Sequence, residues 1–437
     1  MTRALGILGL MLSWSLPVLC AEPWTLERAL QQALTSNPDA RLAQQRIAAA
    51  QAGLEQANAA FWPRLQFQSS YTGSDNPMQV FGSILSQHAY SSTLDFNNVP
   101  SVDDLNTRGL VTVPLYAGGK NAATRKAAKA NTDAARQDND AIRNTLGFEV
   151  SRAFYTVLKT RQFIRAAEAG VNSFEGSLVV AKKRLDGGTL LKTGVLDIEV
   201  RLAQAREDLV RARNANALSV RVLHNLLGIE SGDFEVADTA PSVTAPDSGD
   251  FSGRPELAAA RHREQAAQEQ ARAAKGGYLP RVNAFGSMDY DYGWNYERGG
   301  GSYTVGALLQ WDLWDGRMTR AKVAEANANA ELAREEQRKL RFALDLEVEQ
   351  ARLDLKAANE RLSVTDQAVA QATESVSLTR ARFEQELALS TQLIDAETAL
   401  LAARVRRAEA EADRQIAIAA LRKALNLPQL ESLAKSK

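Results

Sequence analysis

Residues 344–362 read LDLEVEQARLDLKAANERL, and they sit inside a run from Arg317 to Leu427 that contains neither glycine nor proline. Ala, Glu, Arg, Gln and Leu dominate the run, and all are good helix formers. Leu344, Val348, Ala351, Leu355, Ala358 and Leu362 are spaced four, three, four, three and four apart. That spacing is a coiled-coil seam, with small residues that let helices approach closely. The run predicts one helix from about Gly316 to Glu386, then a short break and a second helix over about Ser390–Leu425. An earlier proline-free stretch predicts the same pair over Gly118 to about Leu185 and Thr193–Leu227. A helix of that first length spans roughly 100 Å at 1.5 Å per residue.

The two halves match at fixed offsets. Asn37-Pro38 pairs with Arg254-Pro255, and Phe61-Trp62-Pro63-Arg64 with Tyr278-Leu279-Pro280-Arg281, both 217 residues apart. From Leu115-Tyr116 and Leu313-Trp314 onward the offset is 198, and it pairs Gly118 with Gly316, Asp197 with Asp395 and Glu199 with Glu397. The extra length lies between Pro63 and Leu115. A whole unit is therefore duplicated. The break at Gly187, Gly188, Thr189, Leu190 and Leu191 has turn glycines. Its counterpart at Glu386, Leu387, Ala388 and Leu389 has none and is read as a turn because of the repeat. The expected layout is a leader at 1–21, repeat 1 at 22–229, a linker at 230–253, repeat 2 at 254–427 and a tail at 428–437.

Between the helices the period changes to two. Val282, Ala284, Gly286, Met288, Tyr290 and Tyr292 alternate with Asn283, Phe285, Ser287, Asp289 and Asp291. Tyr303, Val305, Ala307, Leu309, Trp311 and Leu313 alternate with polar and small residues. Leu65, Phe67 and Tyr71 do the same in the first half, with Gly109, Val111, Val113 and Leu115 on the return strand. Of 28 aromatic residues, 17 fall within 61–116 and 278–314. Strands of about ten residues, apolar on one face and bounded by aromatics, have the signature of transmembrane β-strands. Two soluble hairpins are the alternative. Four strands cannot close a barrel in lipid, so several chains must share one, and three would give twelve strands. The linking segments are 73–107, rich in Ser, Asn and Asp, and 293–302, with Gly299-Gly300-Gly301.

The 52 basic and 52 acidic residues cancel, which argues against nucleic-acid binding. Arg3, the apolar stretch Ala4–Leu12 and the small residue Ala21 predict a cleaved export signal. Cys20 is the only cysteine, and its acylation is the alternative there. Three histidines, His88, His224 and His262, are too scattered for a metal site. Gly118-Gly119-Lys120 is not a phosphate loop, because Pro114 and Asn121 break the pattern. No catalytic constellation, metal site or cofactor is expected.

Several features together make the chain resemble the TolC family of outer-membrane efflux channels. They are the duplicated corner prolines Pro63 and Pro280, the steps Leu115-Tyr116-Ala117-Gly118 and Leu313-Trp314-Asp315-Gly316, and the segments at Asp197 and Asp395. The resemblance covers about 25–427. It implies a mainly α protein whose long antiparallel helical hairpins form a coiled-coil tunnel. Each chain adds a four-stranded share to a trimeric twelve-stranded barrel in outer-membrane lipid. It implies a homotrimeric exit duct for efflux or type I secretion. The duct would meet a periplasmic adaptor and an inner-membrane pump of RND, ABC or MFS type. A periplasmic coiled-coil adaptor or scaffold is the alternative.

The resemblance implies a tunnel mouth narrowed, as in the family's best-known member, at two positions three apart that are acidic there and fall on Gln392 and Asp395 here. Only Asp395 is acidic. Phe383 and Ala388 stand where gate-holding contacts occur in the family, and Ala388 cannot form an ion pair. Residues 187–191 and 386–389 are the expected adaptor-contacting tips.

Overall fold

The computed structural model describes residues 23–430 apart from Phe96, 231–233, Ala240, Ser242, Asp247 and Ser248. The expected leader with Cys20, part of the linker and most of the tail lie outside the described residues.

The chain begins with α1 (Leu26–Ser36) and α2 (Pro38–Ala59), then β1 (Arg64–Ser74), α3 (Pro77–Ser86) and β2 (Val102–Ala117). Two helices follow, α4 (Lys120–Asp186) and α5 (Lys192–Leu226). The second half runs α6 (Pro255–Lys275), β3 (Arg281–Gly293), β4 (Arg298–Gln310), α7 (Met318–Glu384) and α8 (Ser390–Ala424). Helices α4 and α7 each have 67 residues, and α5 and α8 each have 35, so the duplication holds to the residue along both hairpins. Among the described residues no helix is long and apolar enough to cross a membrane.

Leu344 of α7 is buried, and Val348, Ala351, Leu355 and Ala358 pack with Ala417, Ile418, Leu421 and Ala424 of α8. The three-four seam is thus the hairpin's packing face. At mid-length a second core gathers Leu26, Leu30 and Ala33 of α1, Val150, Phe154 and Val157 of α4, and Leu223 of α5. The corners entering the repeats are built differently. Asn37 caps α2 by accepting from the Asp39 amide at 2.7 Å, and it donates to the Leu226 carbonyl at 2.8 Å. Its counterpart Arg254 is 2% exposed. Its guanidinium reaches Glu347 at 2.6 Å and Glu256 at 2.5 Å, and Lys423 joins Glu347 at 3.0 Å.

The strands form one antiparallel sheet in the order β1-β2-β3-β4. Register separates its faces. Phe67, Gly109, Met288 and Tyr303 align on one face, and Gln68, Arg108, Asp289 and Ser302 on the other. The first face is apolar and largely exposed at Phe67, Met288 and Tyr303. The second is polar: Arg108 pairs with Asp289, and Asn106 donates to Asp291 at 2.8 Å. An apolar outer face and a polar inner face are what a barrel wall in lipid requires. Among the described residues β1 and β4 each have a partner strand on one side only. In lipid such edges must be paired, so the sheet is one chain's share of a barrel closed by other chains.

Two features of the strand connections differ from the sequence reading. The segment 73–107 contains α3, started by Asn76, whose side chain accepts from the Met78 amide at 3.0 Å, and by Pro77 at the first helical position. Gly299, Gly300 and Gly301 lie within β4, and the turn is confined to 294–297. A Cβ on Gly300 would stand 2.2 Å from the Ser86 carbonyl oxygen. Gly300 lacks a side chain because the end of α3 passes over it.

Candidate functional site at the hairpin tips

The α4–α5 and α7–α8 turns lie at the ends of the hairpins remote from the sheet. In the first, Gly188 has φ +75 and the Thr189 amide donates to the Arg184 carbonyl at 2.9 Å. In the second, 198 residues on, Glu386 has φ +66 and the Leu387 amide donates to the Arg382 carbonyl at 2.8 Å. Both are glycine-type helix terminations with one left-handed residue. The second uses a glutamate where the first uses glycine, at a strain of about 1 kcal/mol. The turn that the repeat alone marked thus forms without a glycine.

The tip residues divide by exposure. Gly187, Gly188, Thr189, Leu191, Glu386, Leu387 and Leu389 are exposed, and Leu190 is half-buried. Leu191, Leu387 and Leu389 give the tips an apolar surface among charged neighbours. Ala388 points inward and packs with Phe383, Val195, Ile198 and Leu393. Its side chain is not on the tip surface.

Gln392 and Asp395 both lie exposed near the start of α8. Gln392 is engaged locally, since its Oε1 accepts from the Leu389 amide at 3.2 Å and so caps the helix. Asp395 makes no ion pair among the described residues. Asp197 at the matching place in α5 is exposed too.

The two hairpins are joined just behind the tips by residues the sequence reading did not single out for this role. Arg184, at the end of α4, donates to the Phe383 carbonyl at 2.9 Å and to the Thr189 carbonyl at 3.1 Å. Its guanidinium lies 4.7 Å from the centroid of the Phe383 ring, a cation–π contact. Farther up, Glu397 of α8 is 4% exposed. Its Oε1 accepts from Ser177 of α4 at 2.9 Å and from Arg380 of α7 at 2.8 Å, and Arg380 also donates to Ser173. Glu397 Oε2 has no partner among the described residues. A buried carboxylate held from both hairpins is costly to leave unpaired, so the cluster resists separation of α4 from α7 and α8. Beside it lies a groove of about 380 Å³ lined by Phe174, Glu384 and Arg404 among others. The repeat pattern marked Glu397 through Glu199, but nothing in the sequence distinguished the buried member. Glu199 pairs instead with Lys182 at the surface.

Among the described residues no group of His, Cys, Asp and Glu could hold a metal ion. The tips are held by packing, hydrogen bonds and a cation–π contact between the two hairpins.

The family model described as outer membrane efflux protein matches residues 29–229 and 251–427. The alkaline protease secretion protein AprF of Pseudomonas aeruginosa is 25% identical over 296 residues, covering 62% of this chain and 60% of that protein. The match thus spans under two thirds of AprF's length. The outer membrane protein VceC of Vibrio cholerae superposes with a TM-score of 0.78 at 20% identity, over 93% of this chain and 97% of that one. The CmeC outer membrane channel of Campylobacter jejuni gives 0.81 at 14% identity, over 94% and 88%. These two share the fold. With matched segments that take in both hairpins and all four strands, the chain belongs to the outer membrane efflux protein family, with its sheet in the outer membrane and its helical body in the periplasm.

Proposed function

We propose that the protein is the outer-membrane exit duct of a tripartite efflux or type I secretion system. It conducts substrate passively from an inner-membrane pump and its periplasmic adaptor to the exterior. The single observation carrying this reading is the open four-stranded sheet, apolar outside and polar inside, joined directly to two coiled-coil hairpins of equal length. Three chains supply twelve strands and leave no edge. The repeats at 22–229 and 254–427 each contribute one helical hairpin and one strand pair. Within the linker 230–253, Val236 bridges Trp24. An adaptor or scaffold would have no use for a lipid-facing strand pair.

In this reading the tip residues 187–191 and 386, 387 and 389 receive the adaptor, and three copies of Asp395 ring the tunnel's narrow end. Like charges gathered there attract cations and repel anions. Arg184 and Glu397 hold the hairpins together in the resting state, and the adaptor must work against both. No catalytic group or cofactor takes part. The test is twofold. Deleting the gene should abolish export of the cognate substrate, and the purified protein should form channels in planar bilayers. Absence of any channel from correctly assembled protein would contradict the proposal.

A further inference from the structure

Halfway along α4 the chain encloses a cavity of about 310 Å³ that takes no part in the duct reading. Helix α4 lines it with Tyr155, Leu158 and Lys159, and α8 with Ala408, Ala412 and Gln415. Residues three and four apart share a helix face, so each helix turns one stripe toward the cavity. Pro241 of the linker lines it as well. Arg161 holds the linker there, donating to the Val236 carbonyl and to Asp238 Oδ1, both at 2.7 Å.

Two polar atoms of this lining are unsatisfied. Tyr155 is 4% exposed, and its hydroxyl has no hydrogen-bond partner among the described residues. Gln415 Oε1, on the facing helix, is buried and has none either. Buried polar groups are rarely left unpaired, because each has lost its water without replacement. Burial pushes the Tyr155 phenol up to about 12, so it remains an O–H donor at neutral pH. The charges are also unbalanced. Lys159, Arg161 and Arg165 line the cavity against Asp238 and Glu411. Asp238 is engaged by both arginines, while Lys159 makes no ion pair among the described residues. The surplus is therefore positive, and Lys159 stands one turn from Tyr155. Leu158, Pro241, Ala408 and Ala412 supply apolar wall between these groups.

We infer that this cavity binds a small organic acid carrying a hydroxyl or similar donor away from its carboxylate. The carboxylate is taken by Lys159 and the Tyr155 hydroxyl, a charge-assisted arrangement. The distal donor satisfies Gln415 Oε1, and the apolar body fills the space between Leu158 and Ala412. A few placed polar groups in a mostly apolar pocket fix a ligand's orientation in this way. Because α4 and α8 come from different repeats, the bound acid ties both repeats to the linker at mid-length. The cavity is separate from the tips and from the sheet, so its failure as a site would leave the duct reading standing.

The test is saturation-transfer NMR on the full protein in detergent micelles, titrated with 4-hydroxybenzoate as the probe. Saturable binding is expected. Benzoate lacks the distal donor and should bind severalfold more weakly, because it leaves Gln415 unpaired. Tyramine carries a cation in place of the carboxylate and should not compete. Lys159→Gln and Tyr155→Phe should each weaken the probe by about tenfold. Ala412→Leu fills the cavity and should abolish binding. Tyr155→Phe deletes one hydroxyl from an otherwise unchanged ring, so it decides the matter alone if Ala412→Leu fails to fold. Lys182→Gln removes an exposed lysine elsewhere on α4 and should change nothing. No saturable binding, equal binding by wild type and Tyr155→Phe, or displacement by tyramine would overturn the inference. Equal displacement by inorganic phosphate would overturn the organic-acid assignment.

Discussion

The guanidinium of Arg184 lies 4.7 Å above the ring of Phe383 and donates to the same residue's carbonyl at 2.9 Å, so one side chain holds one hairpin to the next by both its face and its edge. Phe383 is itself fully buried, which makes the ring a fixed platform. The one charged hydrogen bond between hairpins, at about 1.5 kcal/mol or more, would shift a closed–open balance by roughly tenfold or more when removed. Arg184→Ala is therefore expected to raise single-channel conductance or open probability in bilayers, with Arg184→Lys intermediate. Equal conductance in all three proteins would remove Arg184 from the clamp.

Glu397 extends that clamp into the buried seam. Glu397→Ala leaves Arg380 without its carboxylate and Ser177 without its acceptor. The arginine left behind is 43% exposed and keeps water, so losing these charged hydrogen bonds costs about 1.5–3 kcal/mol. The expected outcome is protein that still assembles but leaks, with raised uptake of large antibiotics by cells. Wild-type leakiness in an assembled variant would count against the cluster as a latch.

Asp395 bears on selectivity instead. Its carboxylate is exposed and makes no ion pair among the described residues, and Gln392 one turn earlier is engaged as a cap. Asp395→Asn should weaken cation preference, read as a smaller reversal potential in a salt gradient. An unchanged potential would place the filter elsewhere.

Arg254 tests the body of the tunnel. It is the buried link between the start of α6 and Glu347 of α7, and Arg254→Ala should lower stability by about 3–5 kcal/mol. Burial pushes the Glu347 carboxyl up, but Lys423 and Arg254 outweigh it and hold the group below its ordinary value. A depressed carboxylate contributes stability that is full above its unfolded pKa and lost as pH falls through the folded one. Thermal stability should therefore decline on acidification below the ordinary carboxylate range, less steeply in Glu347→Gln. The same acid sensitivity in both proteins would assign it to other groups.

Much of this was legible in the sequence, for physical reasons that differ by element. The long helices were readable because the absence of Gly and Pro over 317–427 leaves nothing to stop them, and the Leu344–Leu362 spacing showed which face packs. The strands were readable because lipid on one side and water on the other enforce a period of two. Helix α3 was passed over as a polar loop, although Asn76-Pro77 repeats the Asn37-Pro38 start of α2. Gly299–Gly301 looked like a turn because glycine serves close approach as well as bending, and only the neighbour decides which. The Arg184–Phe383 clamp joins residues 199 apart, and no local pattern marks such a pair. Ala388 was grouped with the exposed tip because turn residues usually face water, whereas here it fills space beside Phe383.

One chain's four strands are a fraction of a barrel. The most direct measurement is amine crosslinking of the mature protein in fractionated membranes. A trimer in the outer-membrane fraction is the predicted result. A monomer, or a soluble periplasmic species, would leave edges β1 and β4 unpaired, and the duct reading would not survive it.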